Sequence, residues 1–274
     1  MRIRFIVTCL TLITVMLFVG NYVVTAAGKD SFSVMPLQYG LPQKRSVTDY
    51  YSLFVKGGHE YQVTALIHNN GKHQLVVNAR LLGSATSAKG TITYHNRSTG
   101  KLGKQNSFRR FIIGPTSKQI KVKAHGNQIV TFHLKAPKYR HGTYLGALAV
   151  SGTVHSNELV RNRVTYLKSI ELSYSHILWK NRRLNLRMRT PVKHGVRQLI
   201  VVNAKARIIS HVTLTIRTRT HGRILYRQRD FSMAPLTKWQ VPLGKKGAAG
   251  HESMVVTLTK GHRTLAKIHE WGCK

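Results

Sequence analysis

Residues 61–81 read YQVTALIHNNGKHQLVVNARL, and their apolar pattern indicates the class of fold. Apolar side chains occupy every second position on either side of its centre, at Tyr61–Ile67 and again at Leu75–Leu81. A period of two is typical of a β-strand that buries one face and exposes the other. Between the two halves, Asn69-Asn70-Gly71 can adopt the positive φ that a tight turn needs. The stretch therefore predicts two strands joined in a hairpin.

The same alternation runs through the rest of the chain, and no later segment shows a convincing helical period over more than two turns. Further strands are predicted at residues 120–122, 130–134, 144–150, 184–188, 199–202, 212–216, 224–226, 239–243 and 254–258. Short strands at regular spacing are typical of β-sandwiches. We therefore predict an all-β protein of two consecutive immunoglobulin-like antiparallel β-sandwich domains.

The first residues predict export. Arg2 and Arg4 precede an apolar run, Phe5–Val19, and small residues follow it up to Ala27-Gly28. A positive flank, an apolar helix and small residues in this order are the layout of a signal peptide, with cleavage between Ala27 and Gly28. An uncleaved membrane anchor is the alternative, because the apolar run is nearly long enough to span a bilayer.

The change in strand pattern places the domain boundary near Leu172. Residues 1–27 are then the signal peptide or anchor, residues 28–172 the first sandwich, and residues 173–274 the second. The second sandwich holds 21 basic and 3 acidic groups, against 21 and 5 in the longer first one. The second domain is therefore denser in positive charge.

The charge balance limits the possible functions. The 274 residues carry 44 Lys+Arg and 8 Asp+Glu, a net charge of +36. With only eight carboxylates, the chain is poorly supplied for catalysis by a pair of carboxylates. The same scarcity argues against a calcium or magnesium site built from carboxylate oxygens. An exported protein does not meet intracellular nucleic acid, which is the usual partner of a basic chain. Two cysteines are too few for an extracellular module that is held together by several disulfides. We therefore predict a bacterial exported protein that meets anionic wall polymers, phospholipid head groups or acidic glycans.

Arginines recur at Arg-x-Arg spacing in the second domain, so that both members of a pair share one face of a strand. The pairs are Arg187/Arg189, Arg217/Arg219 and Arg227/Arg229. If their strands lie in one sheet, the guanidinium groups form a solvent-facing stripe that binds an anionic polymer. The alternative is that these arginines are ordinary charged residues on solvent-exposed strand faces, without a ligand.

Several short stretches, taken in order, resemble the WxL-interacting proteins, which are cell-surface proteins of Gram-positive bacteria. These stretches are FSVMP at 32–36, ATSAKGTITY at 85–94, GTY at 142–144, VNA at 202–204, SMAPLT at 232–237 and WQVPL at 239–243. The likeness spans roughly residues 31–271. It rests on the order of the stretches, since none of them is highly specific alone.

The resemblance implies a two-domain adaptor that is not an enzyme. Its first domain would bind peptidoglycan, its second a host surface component, and the whole would partner WxL-domain surface proteins. Family members usually continue into a membrane helix, whereas this sequence runs to Trp271-Gly272-Cys273-Lys274 without one. We therefore expect an extracellular, cell-wall-associated protein that is held by anionic wall polymers. It would be membrane-anchored only if the signal peptide stays uncleaved. We also expect the last edge of the second sandwich to be frayed.

A function of another class stays open. The chain could be a secreted cationic protein that adheres to extracellular nucleic acid or to acidic host glycans. Capture of DNA or heparin, with no capture of WxL-domain proteins, would distinguish this alternative.

No catalytic residue, metal site or cofactor is predicted. The 15 histidines lack metal-ligand spacing, and Cys273 stands close to a terminus, where a base and a nucleophile are not held together. Trp239 lies in an alternating strand and is expected in the core. Trp179, which Lys180 follows, is the candidate for an exposed aromatic contact with a ligand.

Overall fold

The computed structural model describes residues 31–95, 107–138, 140–155, 161–174, 186–189, 192–193, 196–245 and 253–270. The signal segment with Ala27 and Gly28 lies outside these residues, as do Trp179 and Cys273. Within them the fold is all-β and consists of antiparallel sheets packed as sandwiches, which confirms the predicted fold class.

Within the described residues, ten strands and one short 3-10 helix surround a first apolar core, and we call this part of the chain the first domain. They are β1 Phe32–Leu37, β2 Tyr51–Phe54, β3 Glu60–Asn69, β4 Leu75–Thr86, β5 Ile92–His95, the 3-10 helix Phe108–Phe111, β6 Ile112–Ile113, β7 Ser117–Val122, β8 Asn127–Lys135, β9 Thr143–His155 and β10 Arg161–Ser173. Sheet A has the order β1-β3-β8-β6, and sheet B has the order β2-β10-β9-β4, with β5 and β7 both paired to β4. The inner faces of the two sheets share one apolar core.

Side chains that alternate between buried and exposed positions along each strand build this core. In β3, Val63, Ala65 and Ile67 are fully buried, while the residues between them stay partly exposed. In β4, Val77 and Ala79 belong to the same core from the other sheet. Each fully buried valine or isoleucine side chain stabilises the fold by about 1.5–3 kcal/mol. The period of two seen in the sequence is therefore the main source of stability.

The predicted hairpin in residues 61–81 is wrong, although both of its strands form. β3 pairs with β1 and β8 in sheet A, whereas β4 pairs with β5, β7 and β9 in sheet B. The chain crosses between the sheets because the Asn69 amide turns inward and donates to the carbonyls of His73 at 2.8 Å and Lys123 at 3.0 Å. Its Oδ1 accepts the Gly71 N–H at 2.9 Å. The buried Asn69 side chain thus forms hydrogen bonds with the backbone groups of the segment that crosses from sheet A to sheet B, so no hairpin turn forms.

One strand pair departs from the antiparallel order. β2 runs parallel to β10, with Tyr51 beside Ile170 and Phe54 beside Ser173. The Tyr51 hydroxyl donates to the Thr64 carbonyl at 2.5 Å, which ties this edge strand to sheet A as well. Burial raises the pKa of Tyr51 well above its usual range, so the hydroxyl stays protonated as a donor.

Within the described residues, eight further strands surround a second apolar core, and we call this part of the chain the second domain. They are β11 Leu186–Arg189, β12 Val192–Lys193, β13 Val196–Asn203, β14 Ile209–Thr218, β15 Ile224–Met233, β16 Thr237–Lys245, β17 Met254–Lys260 and β18 Arg263–Glu270. Sheet C joins β13 to β11, β12 and β16, and sheet D has the order β15-β14-β17-β18. Trp239 is 1% exposed in the core between them, as predicted, and meets the Phe231 ring edge-on at 5.0 Å.

The expected frayed edge of the second sandwich is instead a complete strand. β18 pairs with β17 from Arg263, opposite Lys260, to Glu270, opposite Met254. Its alternation is hard to see in the sequence because the register shifts between Leu258 and Thr259. A bulge of this kind lets two neighbouring residues face one partner and hides the period of two.

A joint connects the two domains, and it is made by the turn between β4 and β5. Thr86 Oγ1 lies 2.7 Å from Thr237 Oγ1 and accepts the Ala234 N–H at 3.1 Å. The Trp239 indole N–H donates to the Ala88 carbonyl at 2.9 Å. These residues belong to ATSAKGTITY, SMAPLT and WQVPL, so stretches that the sequence analysis singled out meet at this joint.

The joint continues along the connection between β13 and β14. Thr143 donates its N–H to the Ala206 carbonyl at 2.7 Å. Leu236 of the second domain is 8% exposed and packs in the core of the first domain. Gly90 lets the turn approach, because a Cβ there would lie 2.3 Å from a Phe231 ring carbon. The second domain therefore completes the core of the first.

A glycine in β9 allows the 3-10 helix to close the first core. A Cβ at Gly146 would lie 2.4 Å from Cδ1 of Phe108. We expect Gly146→Ala to lower the free energy of unfolding by about 1–3 kcal/mol, measured by urea denaturation, because the buried ring must move. Thr153→Ala, at an exposed position of the same strand, is the control and should change it by less than about 0.5 kcal/mol. Equal losses would contradict this packing.

The joint predicts energetic coupling between the domains. Thr86→Val and Thr237→Val each remove one hydroxyl of the same hydrogen-bonded pair, so a double-mutant cycle in urea should give a coupling of about 0.5–2 kcal/mol. The control cycle uses Ser151 and Thr165, an exposed hydroxyl pair at 2.9 Å within sheet B. A coupling across the joint that is indistinguishable from zero would show that the domains are not energetically linked there.

Candidate binding surfaces

An apolar strip crosses the outer face of sheet A. Met35, Leu66 and Ile129 lie directly opposite one another on β1, β3 and β8. Met35 is 51% exposed and Ile129 is 54% exposed, with the half-buried Leu66 between them. Residues directly opposite in a sheet have Cβ atoms about 5 Å apart, so the three side chains form one continuous strip.

Polar side chains lie beside this apolar strip on both sides. On one side His68 Nδ1 lies 2.8 Å from Asn127 Oδ1, and on the other the hydroxyls of Thr64 and Thr131 lie 3.1 Å apart. These pairs flank the strip in register on β3 and β8. In a chain of net charge +36, a surface of this kind favours contact with another protein more than contact with a polyanion.

The outer face of sheet B holds a buried carboxylate that sequence reasoning missed. Glu171 on β10 is 7% exposed, and its Oε1 accepts from Lys44 Nζ at 2.6 Å. Its other oxygen accepts from the Ser52 hydroxyl at 3.2 Å, and Lys44 also reaches the Ser173 hydroxyl at 3.0 Å. A buried carboxylate needs partners of this kind. The cluster therefore ties the segment before β2 to sheet B, and its charge is already neutralised.

Tyr94 of β5 lies close to this carboxylate. Its hydroxyl donates to the Ser169 hydroxyl at 2.8 Å. Burial raises the pKa of Tyr94, and the nearby charge of Glu171 raises it further, so the phenol stays neutral. No sequence motif marked this arrangement, because its members come from distant parts of the chain.

The six arginines of the predicted stripe do not share one sheet. Arg217 lies on β14, and Arg227 and Arg229 lie on β15, all exposed in sheet D. Arg219 follows the end of β14. The remaining pair, Arg187 and Arg189, lies on β11 in sheet C. The sequence could show which arginines share a strand face, but not which strands become neighbours.

Neither a metal centre nor a membrane helix appears in the ranges that the structure describes. No group of three or more His, Cys, Asp or Glu side chains within them is arranged to hold a metal ion. No helix in those same ranges is long and apolar enough to cross a membrane.

Solved structures show a weak overall likeness. The crystal structure of the YadV chaperone superposes with a TM-score of 0.36 and 11% identity, covering 88% of this chain and 100% of that chain. The class 5 fimbriae chaperone CfaA gives 0.39 and 9%, covering 89% and 100%, and the E. coli chaperone DraB gives 0.34 and 14%, covering 88% and 98%. Superposition at this level carries no functional information. No curated protein matches the chain.

The family comparison is specific to the first domain. Residues 32–152 match the family described as WxL Interacting Protein, peptidoglycan binding domain. The match begins at the first residue of β1 and ends within β9, so it covers the apolar strip on sheet A and the turn of the joint. Residues 32–152 are therefore similar to the peptidoglycan-binding domain of WxL-interacting proteins.

Proposed function

We propose that this protein is an exported, non-enzymatic adaptor that binds peptidoglycan through its first domain and holds WxL-domain proteins at the cell wall. The match of residues 32–152 to a peptidoglycan-binding domain carries the proposal. The host component expected for the second domain stays a prediction, because the match ends at residue 152.

The apolar strip on sheet A supports docking of the protein partner. Met35, Leu66 and Ile129 offer a continuous apolar contact, and the hydroxyl, imidazole and amide groups beside them can form hydrogen bonds at its rim. An apolar centre with a polar rim is the usual anatomy of a protein–protein interface. We assign a WxL-domain protein to this strip because the description of the matching family names a WxL partner.

The joint supports an adaptor that acts as a single body. Leu236 is buried in the first core, and Trp239 donates to the Ala88 carbonyl across the joint. Ligands on the two domains are therefore held at a fixed distance from each other. An adaptor that links a wall to a partner benefits from this, because binding at one surface does not have to order the other.

Peptidoglycan binding should survive high salt. We expect the chain without residues 1–27 to co-sediment with purified sacculi stripped of anionic polymers, even in 1 M salt, where the Debye length is about 3 Å. Neutral glycan and peptide contacts do not depend on long-range attraction, so the bound fraction should change less than about twofold between 0.1 M and 1 M salt. Loss of binding to stripped sacculi at 1 M salt would contradict peptidoglycan recognition.

Partner capture should depend on the apolar strip. We expect Met35→Gln combined with Ile129→Gln to weaken binding of a WxL-domain protein from the same genome by about tenfold or more, measured by biolayer interferometry, because central apolar contacts dominate interface energies. Val76→Gln combined with Leu167→Gln removes two exposed apolar side chains from sheet B and is the matched control. If both pairs weaken binding equally, the strip is not the docking surface.

A further inference from the structure

We call the outer face of sheet D in the second domain the trough, because threonines on its middle strands lie between long basic side chains on its edge strands. The two edge strands carry exposed basic side chains: Arg227 and Arg229 on β15, and Lys267 and His269 on β18. The two middle strands, β14 and β17, lie between them. Three strand spacings separate the two basic walls, a distance of about 14 Å.

Threonines form the floor of this trough. Arg227 lies opposite Thr215, Thr215 opposite Thr257, and Thr257 opposite Lys267, so one row of directly paired residues crosses all four strands. Directly opposite residues share a face of the sheet. Thr215 is only 8% exposed, which places it below its longer neighbours. The floor is therefore polar and uncharged, and the long basic side chains stand at its two sides.

Threonines also occupy the neighbouring row on one side, where Thr213 lies opposite Thr259. Both of these threonines are partly exposed. On the other side of the Thr215 row, the exposed Arg217 lies opposite Val255 and adds a basic side chain on β14 at the end of the threonine floor.

The basic groups of the trough lack protein counter-charges. In the part of the chain that the structure describes, no ion pair involves Arg217, Arg227, Arg229 or Lys267. Asp230 is the acid of sheet D whose side chain is described, and its Oδ1 lies 2.6 Å from His211 Nδ1. An external anion would therefore meet positive charge that the fold itself leaves unopposed.

We propose that the trough binds a linear phosphodiester polymer outside the cell, lying along the strands above the threonine floor. A guanidinium group can donate hydrogen bonds to two oxygens of one phosphate at once. Three of the five basic groups of the trough are arginines, namely Arg217, Arg227 and Arg229. Partly exposed hydroxyls of Thr213 and Thr259 can donate to the same oxygens. A planar lipid surface would touch only the tips of the two walls and leave the floor unused.

This inference goes beyond the proposed function, because it gives the second domain a ligand chemically unlike peptidoglycan. It also separates the arginines of the predicted stripe. Arg217, Arg227 and Arg229 belong to the trough, whereas Arg187 on β11 lies in the other sheet of the sandwich. Lys267 and His269 join the set from a strand that the sequence analysis did not predict.

The test uses the chain without residues 1–27 and poly(glycerol phosphate) as the probe, with affinity measured by microscale thermophoresis. With about four phosphate contacts and the salt dependence of a single-stranded polyanion, affinity should fall about 50-fold between 50 mM and 200 mM salt. Arg227→Gln combined with Arg229→Gln removes one wall and should reduce that fall to about sevenfold. Lys267→Gln, on the opposite wall, should also weaken binding, since the polymer contacts both sides.

The matched control is Arg187→Gln combined with Lys238→Gln, which removes the same charge from the outer face of sheet C. It should leave at least two-thirds of the affinity for the probe. If this control weakens binding as much as the loss of Arg227 and Arg229, general charge and not the trough binds the polymer. Equal or tighter binding of heparin, or of phosphatidylglycerol vesicles, would overturn the assignment to a phosphodiester polymer.

Stripped sacculi separate this inference from the proposed function. The variant without Arg227 and Arg229 should bind them like the unmodified chain, because peptidoglycan is assigned to the first domain. Loss of polymer binding with intact sacculus binding supports the trough. Intact polymer binding in that variant would overturn the trough and leave peptidoglycan recognition untouched.

Discussion

Acids are scarce in this protein, and their scarcity limits what can hold the fold together. Eight carboxylates face 44 lysines and arginines, so most of the basic groups have no acid to pair with. Among the described residues, a lysine lies within 4.0 Å of an acid in Lys44–Glu171, Lys135–Glu60 and Lys168–Asp49, and of these pairs Lys44–Glu171 is largely shielded from solvent. Exposed ion pairs contribute about 0–1 kcal/mol each. The fold is therefore held by apolar burial and by neutral hydrogen bonds such as Thr86–Thr237 and Tyr94–Ser169.

The sequence shows where strands form more clearly than how they pair. The period of two in residues 61–81 predicted β3 and β4, because burial of alternate side chains is a local property of a strand. Their assignment to different sheets depends on Asn69, whose amide bonds reach a carbonyl 54 positions further along the chain. Pairing of this kind is decided by distant groups, and no local pattern contains it.

The binding surfaces were predictable to different degrees for the same reason. The Arg227/Arg229 pair was visible as a spacing within one strand. The opposite wall was hidden, since the register shift between Leu258 and Thr259 leaves an extra residue, Leu265, on β18 and disturbs the alternation of that strand. The apolar strip was hidden as well, because Met35, Leu66 and Ile129 are far apart in the chain and become neighbours only through the order of sheet A. Only the topology brings such residues together.

The joint also has a mechanical consequence. In the role proposed above, the protein would be pulled whenever its partner is displaced by flow or by growth. Here the pull need not pass through the backbone connection alone, because the turn after Thr86 is hydrogen-bonded to β16 and Leu236 is buried in the first core. Several contacts share the load at once, and separating the domains requires a leucine to be drawn out into water. The joint is thus a clamp whose resistance to force comes from burial, and that resistance would persist in high salt, where charge-based attachments weaken.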